Sequence, residues 1–305
     1  MKKESIISLL KIFFYPLIII WKYSSLRNKI TFSLEGNIDI ELIPTNIFSL
    51  LNKQKISHIE NNFALSKRVY SEALLRSIVF ELIQKKIISK NEHIVDIGSW
   101  IGDNSIIWGR LIEDGTGKIY AIDPSPSNID YGKRLEKINS ILNICWNNEV
   151  CSSKDGLEIF YNGNINHCDF NNLGLGKKYF KKTNTIDSIV GNKNWHKISM
   201  LHLDVEGLEE EVLIGSMNII SHSRPIIIFE QHISDINPNE IYSRIKHFDY
   251  ELYMINEVLP ESRLDTRNFI AFQKDTDVSI INQISPDSVK GCWPATIGQA
   301  LIKVK

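Results

Sequence analysis

The sequence predicts an α/β protein built on a mostly parallel sheet with helices on both faces. From residue 71 onward, short continuous apolar runs alternate with amphipathic stretches of helical periodicity. A turn containing Gly98 and Gly102 joins one such run to a helix, and the next run ends in Asp123. At 305 residues with 43% apolar and 23% charged residues, the chain can hold one large α/β domain with appendages, or at most two domains.

The order of the elements follows from the same periodicities. Apolar residues at helical spacing predict a first helix from residue 71 to 88. Further helices are expected at 103–112, 127–139, 208–220 and 238–247. Strands are expected at 93–97, 118–122, 144–150, 157–161, 198–204, 225–230, 250–255 and 268–273.

The glycine turn indicates the kind of ligand. Glycines between a strand and a helix let a ligand approach the backbone, and the helix N-terminus offers free N–H groups. Asp123, 21 residues beyond Gly102, is placed to accept ribose hydroxyl protons. A dinucleotide needs G-x-G-x-x-G, whereas three residues separate Gly98 from Gly102 and Asp103 would repel a phosphate. The pattern favours S-adenosylmethionine, with an ordinary turn containing incidental glycines as the alternative.

Carboxylates stand at the ends of several predicted strands. Ligands of open parallel sheets bind beyond the carboxyl ends of the strands. We therefore expect four acids to meet at one crevice, namely Asp96, Asp123, Asp204 and Glu230. Alternation along the strand predicts that His202, Asp204 and Glu206 face one side, about 6.6 Å from one to the next.

The chain also carries a set of longer motifs. They are Val-Asp96-Ile-Gly98-x3-Gly102, Ala-Ile-Asp123-Pro-Ser-Pro, Leu-Asp204-Val-Glu206-Gly207-x-Glu209-x2-Val-Leu-x-Gly215, Pro225-x4-Glu230 and Arg-Asn268-Phe-Ile-Ala271. From about residue 70 to 274, the chain thereby resembles the FkbM family of S-adenosylmethionine-dependent methyltransferases. Two positions depart from the family pattern: His202 replaces a common lysine, and Ser99-Trp100 replaces Ala-Asn.

This resemblance implies a class I methyltransferase, Rossmann-like fold with a seven-stranded, mostly parallel sheet. The resemblance assigns the cofactor to Asp96, Gly98, Ser99, Gly102 and Asp123, with Asp155 near the adenine. It places Asp204, Glu206 and Glu230 toward the acceptor, which in this family is usually a hydroxyl of a sugar, polysaccharide, glycolipid or polyketide.

A sugar hydroxyl is a poor nucleophile at pH 7, so an O-methyltransferase needs a positioned base or a divalent metal. The candidate bases are Asp204, Glu230, His232, His202 and His167. We slightly prefer His232, which follows a strand end, while His202 is equally consistent with a hydrogen-bonded core histidine. A metal held by Asp204 and Glu230 is an alternative that two distant carboxylates support only weakly.

The N-terminus is apolar and flanked by basic residues. Residues 6–21 are interrupted by Lys11 and Pro16 and fall short of the ~20 residues that span a bilayer. They fit either an interfacial helix on the inner membrane face or a helix packed on the domain or on a partner subunit. The net charge of -1 gives no general attraction to nucleic acid. Four cysteines without a C-x-x-C pair suit the cytoplasm. The sequence leaves the oligomeric state open.

Residues 162–183 lack clear periodicity, and we expect a lid over the substrate, with disorder as the alternative. For the lysines of this segment we favour a solvated face over contact with an anionic acceptor; they are Lys177, Lys178, Lys181 and Lys182. We divide the chain into an apolar, basic segment (1–30), a helical region (31–90), the methyltransferase domain (91–275) and a C-terminal tail (276–305).

The leading functional hypothesis is an O-methyltransferase that acts in glycan biosynthesis on a sugar, polysaccharide or glycolipid. One alternative is a catalytically silent cofactor-binding scaffold in a glycan assembly complex. The other is a nucleotide-dependent oxidoreductase, which the missing third glycine and Asp103 disfavour.

Overall fold

The computed structural model describes residues 29–32, 38–41, 72–162, 178–232, 238–259, 266–289 and 291–304. The chain divides into two units, Met1–Lys67 and Arg68–Lys305. In the first unit, the described residues form an antiparallel pair of strands, β1 (Lys29–Phe32) and β2 (Ile38–Glu41). Our expectation of helix from residue 31 is wrong for these residues, because apolar and polar residues alternate in Ile-Asp-Ile-Glu with the period of a strand.

The second unit contains a large sheet and a small one. Its strands are β3 (His93–Ile97), β4 (Ile119–Ile122), β5 (Ile144–Asn147), β6 (Val150–Cys151), β7 (Glu158–Asn162), β8 (Lys178–Asn184), β9 (Ile198–Leu203), β10 (Ile226–His232), β11 (Tyr250–Ile255), β12 (Thr266–Gln273) and β13 (Leu301–Lys303). The large sheet has the order β13-β11-β12-β10-β9-β3-β4-β5. Its strands from β10 to β5 are parallel, whereas β12, β11 and β13 pair antiparallel with their neighbours. The predicted α/β fold with a mostly parallel sheet is confirmed.

The large sheet has eight strands instead of the predicted seven. The additional strand is β13, which lies in the segment that we predicted to be a tail. It pairs with β11 through Tyr253↔Lys303, Met254↔Ile302 and Ile255↔Leu301. Pairing with β13 covers backbone groups of β11 that would otherwise form an open sheet edge. Three residues are too few to show a strand period in the sequence.

Seven α-helices are described in the second unit. They are α1 (Ala73–Gln84), α2 (Asp103–Leu111), α3 (Pro126–Ile138), α4 (Ile186–Val190), α5 (Glu209–Ile214), α6 (Met217–Ser223) and α7 (Pro238–His247). The helix predicted at 208–220 is thus two helices that break at Gly215 and Ser216. A Cβ on Gly215 would lie 2.2 Å from the main-chain oxygen of Ser152, so the chain passes too close there for a side chain.

The core lies along the two central strands of the large sheet. Every residue of β3 and of β9 is buried, as expected for strands covered on both faces. The helix α1 contributes one apolar face to the buried interior, formed by Leu74, Leu75, Ile78, Val79, Leu82 and Ile83. Among the described residues, no helix has the length and apolar character of a membrane span. Residues 6–21 lie outside the described residues.

The small sheet has the order β6-β8-β7, with β8 parallel to β6 and antiparallel to β7. This corrects the predicted loop at 162–183, since residues 178–184 form β8 and only 163–177 fall outside the described residues. The run Lys-Tyr-Phe-Lys-Lys-Thr-Asn does not alternate between apolar and polar residues, so its local pattern does not predict a strand. The strand predicted at 144–150 is also divided between the two sheets.

Candidate active site

The turn after β3 is shaped by three residues with left-handed backbone conformation. Their φ angles are +77° at Gly98, +47° at Trp100 and +78° at Gly102. A Cβ on Gly98 would lie 1.7 Å from the main-chain oxygen of Asp204, and one on Gly102 would lie 2.2 Å from the ring of Trp146. Glycine is therefore required both by the backbone and by close protein neighbours. We had expected a ligand, and not the protein itself, to occupy the space beside both glycines.

Asp123 directly follows β4 and is buried next to this turn. Its Oδ1 accepts hydrogen bonds from the backbone N–H of Ser125 (2.8 Å) and from Nδ2 of Asn128 (3.0 Å). Its Oδ2 accepts one from the backbone N–H of Trp100 (3.0 Å), which leaves one acceptor position on this oxygen. Burial raises the pKa of Asp123 to about 7, and the charge of Asp204 adds to the rise although the three hydrogen bonds oppose it.

Ser99 provides a test of whether this turn fits a polar ligand. Its backbone N–H donates to the carbonyl oxygen of Ile122 (3.0 Å). Its hydroxyl is buried and has no hydrogen-bond partner among the described residues. Buried hydroxyls normally have partners, and a polar ligand beside the turn would supply one. Ser99 and the remaining acceptor position on Asp123 therefore fit an adenosine-containing cofactor.

Asp96 and His202 form a buried pair between β3 and β9. Nδ1 of His202 donates to Oδ1 of Asp96 (2.8 Å), and Oγ of Ser105 donates to Oδ2. The ring of Trp108 meets the His202 ring edge-on, with centroids 5.1 Å apart. Both oxygens of Asp96 are thus engaged inside the protein. Its predicted cofactor contact stays a prediction, and the geometry favours the core interpretation of His202 over its role as a base.

Several charges act on His202. Burial alone would lower the pKa of His202, but the hydrogen bond and charge of Asp96 raise it, and the charges of Glu72 and Asp204 add to this, so the pKa is raised. Nε2 of His202 is buried and has no hydrogen-bond partner among the described residues.

Asp204 and Glu230 lie at the ends of neighbouring parallel strands. Phe229 is in register with Leu203, so the two acids stand one step beyond the last register pair. The backbone N–H of Asp204 donates to the carbonyl oxygen of Ile97 (2.9 Å). Burial, the charge of Asp204 and a hydrogen bond between the two carboxyl groups raise the pKa of Glu230 well above its ordinary value. Glu230 therefore keeps its proton to a higher pH than a free glutamate does, and while protonated it can donate a hydrogen bond to Asp204.

The turn after Asp204 is held by Glu209. Oε1 of Glu209 accepts from the backbone N–H groups of Val205 (3.1 Å) and Gly207 (3.2 Å). Burial raises the pKa of Glu209 to about 7, and the charge of Asp204 adds to the rise. Glu206 is exposed and has a φ of +55°. The predicted alternation up to Glu206 is wrong, because β9 ends at Leu203 and the chain turns.

Glu72 is a residue of this region that sequence reasoning missed. Its Oε2 accepts from Nδ2 of Asn104 (2.8 Å), and its Oε1 accepts from Nδ2 of Asn268 (3.1 Å). Nη2 of Arg76 lies 3.6 Å from Oε2. No motif or spacing in the sequence points to Glu72, since its partners are far away along the chain.

Asp103 also differs from expectation. Nη2 of the buried Arg76 donates to Oδ2 of Asp103 (2.9 Å), and Nε donates to Oδ1 of Asn104 (2.7 Å). Since the charge of Asp103 is paired, it does not by itself argue against a phosphate. The argument against a dinucleotide then rests on the third glycine of the dinucleotide motif, which this sequence lacks.

Asp155 lies on the turn before β7. Its Oδ1 accepts from the backbone N–H of Thr185 (2.6 Å), and its Oδ2 accepts from the hydroxyl of Ser188 (2.6 Å). These hydrogen bonds support the start of α4, and they lower the pKa of Asp155. The adenine contact predicted for Asp155 stays a prediction.

Lys182 is exposed, whereas Lys181 departs from the interpretation of the lysine cluster as a solvated face. Its Nζ donates to the backbone oxygen (2.7 Å) and to Oδ1 (2.6 Å) of Asn148. Nδ2 of Asn148 in turn donates to the backbone oxygen of Asp123 (3.0 Å). The small sheet is therefore connected through Asn148 to Asp123.

Two candidate bases are not placed by the structure. His232 is the last residue of β10, but its side chain lies outside the described residues, as does all of His167. In the described part of the chain, no group of three or more His, Cys, Asp or Glu side chains is arranged to hold a metal ion.

Comparison with known proteins bears directly on this site. A family model described as the methyltransferase FkbM domain matches residues 96–252, about half of the chain. The chain belongs to the FkbM methyltransferase family. The matched range contains Ser99, Asp123, Asp204 and Glu230, and S-adenosylmethionine is the cofactor of this methyltransferase domain. The family excludes the oxidoreductase alternative for this domain.

Solved structures of other methyltransferases are also similar. The FkbM methyltransferase from Methylobacillus flagellatus KT is 12% identical, with a TM-score of 0.46 over 74% of this chain and 65% of that chain. A putative methyltransferase from Streptococcus mutans in complex with SAH is 10% identical, with a TM-score of 0.39 over 70% and 98% of the two chains. An rRNA methylase from Streptococcus thermophilus is 11% identical, with a TM-score of 0.38 over 70% and 98%. No curated protein matches the chain.

Proposed function

We propose that the FkbM domain transfers a methyl group from S-adenosylmethionine to a hydroxyl of a sugar, polysaccharide or glycolipid. The observation that supports this most is the carboxyl pair formed by Asp204 and Glu230 at the ends of neighbouring strands. Asp204 also acts electrostatically on Asp123, on the cofactor side. This places the proposed proton acceptor near Asp123, on the side that we assign to the cofactor, as methylation of a hydroxyl requires.

The cofactor side consists of Asp123 and Ser99. When bound, S-adenosylmethionine supplies an activated methyl group on a sulfonium and leaves as neutral S-adenosylhomocysteine. The remaining acceptor position on Oδ2 of Asp123 suits a ribose hydroxyl. The buried hydroxyl of Ser99 suits a second polar atom of the ligand.

The acceptor side consists of Asp204 and Glu230. Glu230 carries the shared proton and donates it in a hydrogen bond to Asp204. Asp204 then accepts the proton of the acceptor hydroxyl while that hydroxyl becomes a methyl ether. Alignment of the hydroxyl and placement of its proton are the protein's main contributions, because the methyl group is already activated.

The proposal extends to the location of the reaction. We place the domain in the cytoplasm, with residues 6–21 on the inner membrane face or packed on protein. The support for this is the apolar stretch flanked by lysines and the cysteine pattern. A glycolipid acceptor would lie at the same membrane surface.

The test uses the full chain, S-adenosylmethionine with a labelled methyl group, and cell glycan and glycolipid fractions as acceptors. We expect label in one of these fractions and a rate lowered about 10²–10⁴-fold in Asp204→Asn, which removes the proposed proton acceptor. The control variant is Glu113→Gln, whose side chain is 43% exposed just after the C-terminal end of α2. Calorimetry should show unchanged binding of S-adenosylhomocysteine in both variants.

Two results would contradict the proposal. Binding of S-adenosylhomocysteine without methyl transfer to either fraction would favour the catalytically silent scaffold. Transfer by Asp204→Asn at the wild-type rate would remove Asp204 as the proton acceptor and with it the role of the carboxyl pair.

A further inference from the structure

Glu72 lies outside the range matched by the family model but reaches the acceptor side of the site. It immediately precedes α1 and is hydrogen-bonded to two other elements. Asn104, on α2, donates to its Oε2 at 2.8 Å, and Asn268, on β12, donates to its Oε1 at 3.1 Å. Its carboxylate therefore connects the helix before the family domain with the sheet.

Asn268 connects Glu72 to the carboxyl pair. It is the register partner of Glu230 on the neighbouring antiparallel strand. Asn268 is 2% exposed, and its Oδ1 is buried without a hydrogen-bond partner among the described residues. Because its Nδ2 is bound to Glu72, the orientation of Asn268 beside Glu230 depends on Glu72.

The charge of Glu72 is maintained by its surroundings. Burial would raise the pKa of Glu72, but the charges of Arg76 and His202 and the hydrogen bonds from the two asparagines lower it. Glu72 is thus a permanent anion close to Glu230, and its charge adds to the rise in the pKa of Glu230.

Other charged groups face the same region from each neighbouring element. Glu230 is faced by Asp204 and Glu206 after β9 and by Glu72 before α1. Glu72 itself is faced by Arg76, by His202 and by Glu257, and Arg76 is shared with Asp103. Arg76 is divided between two acids, so it offsets the charge of Glu72 only in part.

We propose that Glu72 is a positioning residue for the acceptor side: it fixes Asn268 beside Glu230 and holds a negative charge behind the Asp204–Glu230 pair. This proposal rests on the proposed function of that pair in methyl transfer. Glu72 does not take the proton itself. It makes the pair keep its shared proton at a higher pH, so that Glu230 stays the donor and Asp204 the acceptor.

The first test follows the titration of Glu230 directly. The ligand-free full chain is labelled with ¹³C at the glutamate carboxyl carbons, and the Glu230 signal is assigned by its loss in Glu230→Gln. In Glu72→Gln, we expect the midpoint of the Glu230 titration to shift to lower pH. The control is Glu81→Gln on α1, which should leave that midpoint unchanged. Glu72→Asp shortens the side chain by one methylene and so moves the negative charge away from Glu230. It should give a smaller shift of the Glu230 midpoint in the same direction.

The second test is the pH profile of methyl transfer to the glycan fraction that serves as acceptor. Both limbs of the kcat profile should move to lower pH in Glu72→Gln, while binding of S-adenosylhomocysteine stays the same. A Glu230 midpoint in Glu72→Gln that coincides with the wild type would overturn the proposal. If Glu72→Gln does not fold, a wild-type midpoint in Glu72→Asp would overturn it.

The failures of the two proposals can be separated. If Asp204→Asn transfers methyl groups at the wild-type rate, the proposed function fails whatever the titration shows. If Asp204→Asn is inactive and the Glu72 variants titrate like the wild type, only the role of Glu72 fails.

Discussion

The Nδ1 atom of His202 lies 2.8 Å from Oδ1 of Asp96, and the two residues are 2% and 1% exposed. They are also register partners on the neighbouring parallel strands β9 and β3. One strand leads into the glycine turn of the cofactor side, and the other leads into Asp204. The buried pair therefore joins the two halves of the site below its surface.

Removal of His202 should destabilise the protein strongly. His202→Ala leaves the carboxylate of Asp96 buried with only Ser105 as a partner, and loss of one member of a buried ion pair costs about 3–5 kcal/mol. The measurement is urea unfolding at pH 7. His222→Ala, at an exposed position, is the control and should change the free energy of unfolding by about 0.5 kcal/mol or less. A small effect of His202→Ala would show that the pair contributes little.

The same pair should make stability depend on pH. The pKa of His202 is raised in the folded protein above its ordinary value of 6.5, so protonation favours folding. This contribution is fully present below pH 6.5 and is lost as the pH rises through the folded pKa. The free energy of unfolding of the wild type, minus that of an Asp96→Asn/His202→Asn double variant, should therefore fall as the pH rises above 6.5. A difference that is constant with pH would contradict a charged His202.

Cofactor binding should release protons from Asp123. Burial raises the pKa of the free Asp123 to about 7, and a ribose hydroxyl that donates to Oδ2 would favour the carboxylate. Binding of S-adenosylhomocysteine should therefore release protons below pH 7 and weaken as the pH falls. Calorimetry in two buffers of different ionisation enthalpy measures this release.

Asp123→Asn should abolish the proton release and weaken binding by about 1.5–3 kcal/mol, the contribution of a hydrogen bond to a charged group. Asp130→Asn on α3 is the matched control, since Asp130 is exposed. Equal proton release in Asp123→Asn and the wild type would remove Asp123 from the ribose site.

Gly98 and Gly156 allow backbone strain to be separated from close packing. Their φ angles are nearly equal, at +77° and +78°. A Cβ on Gly156 would meet nothing within 4 Å, whereas one on Gly98 would lie 1.7 Å from the main-chain oxygen of Asp204. Gly156→Ala should lower the free energy of unfolding only by the backbone strain of a left-handed residue, about 1–2 kcal/mol.

Gly98→Ala should cost more, because it also displaces the backbone of Asp204. We expect it to abolish binding of S-adenosylhomocysteine, as measured by calorimetry, and to lower the unfolding midpoint in urea below that of Gly156→Ala. Equal stability of the two variants would show that the turn after β3 adapts freely.

Glu209 should support turnover through the turn that follows Asp204. Glu209→Ala removes the acceptor of the backbone N–H groups of Val205, which is half-buried, and Gly207, which is exposed, at about 0.5–1.5 kcal/mol for each hydrogen bond. We expect lower stability and lower methyl transfer, with unchanged affinity for S-adenosylhomocysteine. Glu209→Gln keeps one carbonyl acceptor, so it should restore most of the stability and most of the methyl transfer. Full activity of Glu209→Ala would show that the turn positions Asp204 without this carboxyl group.

The sequence predicted the central strands because continuous apolar runs and helical periodicity are local signals. It was less successful where a segment is short or where the chain changes sheet. The three residues of β13 and the division of residues 144–150 between two sheets are examples, since sheet membership depends on pairing partners that are distant along the chain.

The sequence by itself determined the glycine turn, the acids that directly follow β4 and β9, and the acid near the end of β10, because each is read from a few neighbouring residues. Only the tertiary structure decided which side chains pair. His202 and Asp96 are 106 residues apart in the chain, and Glu72 and Asn268 are 196 apart. Such contacts depend on strand register and on how helices pack on the sheet, so burial and neighbouring charge together decide whether each acid is a buried partner or a group that can take a proton.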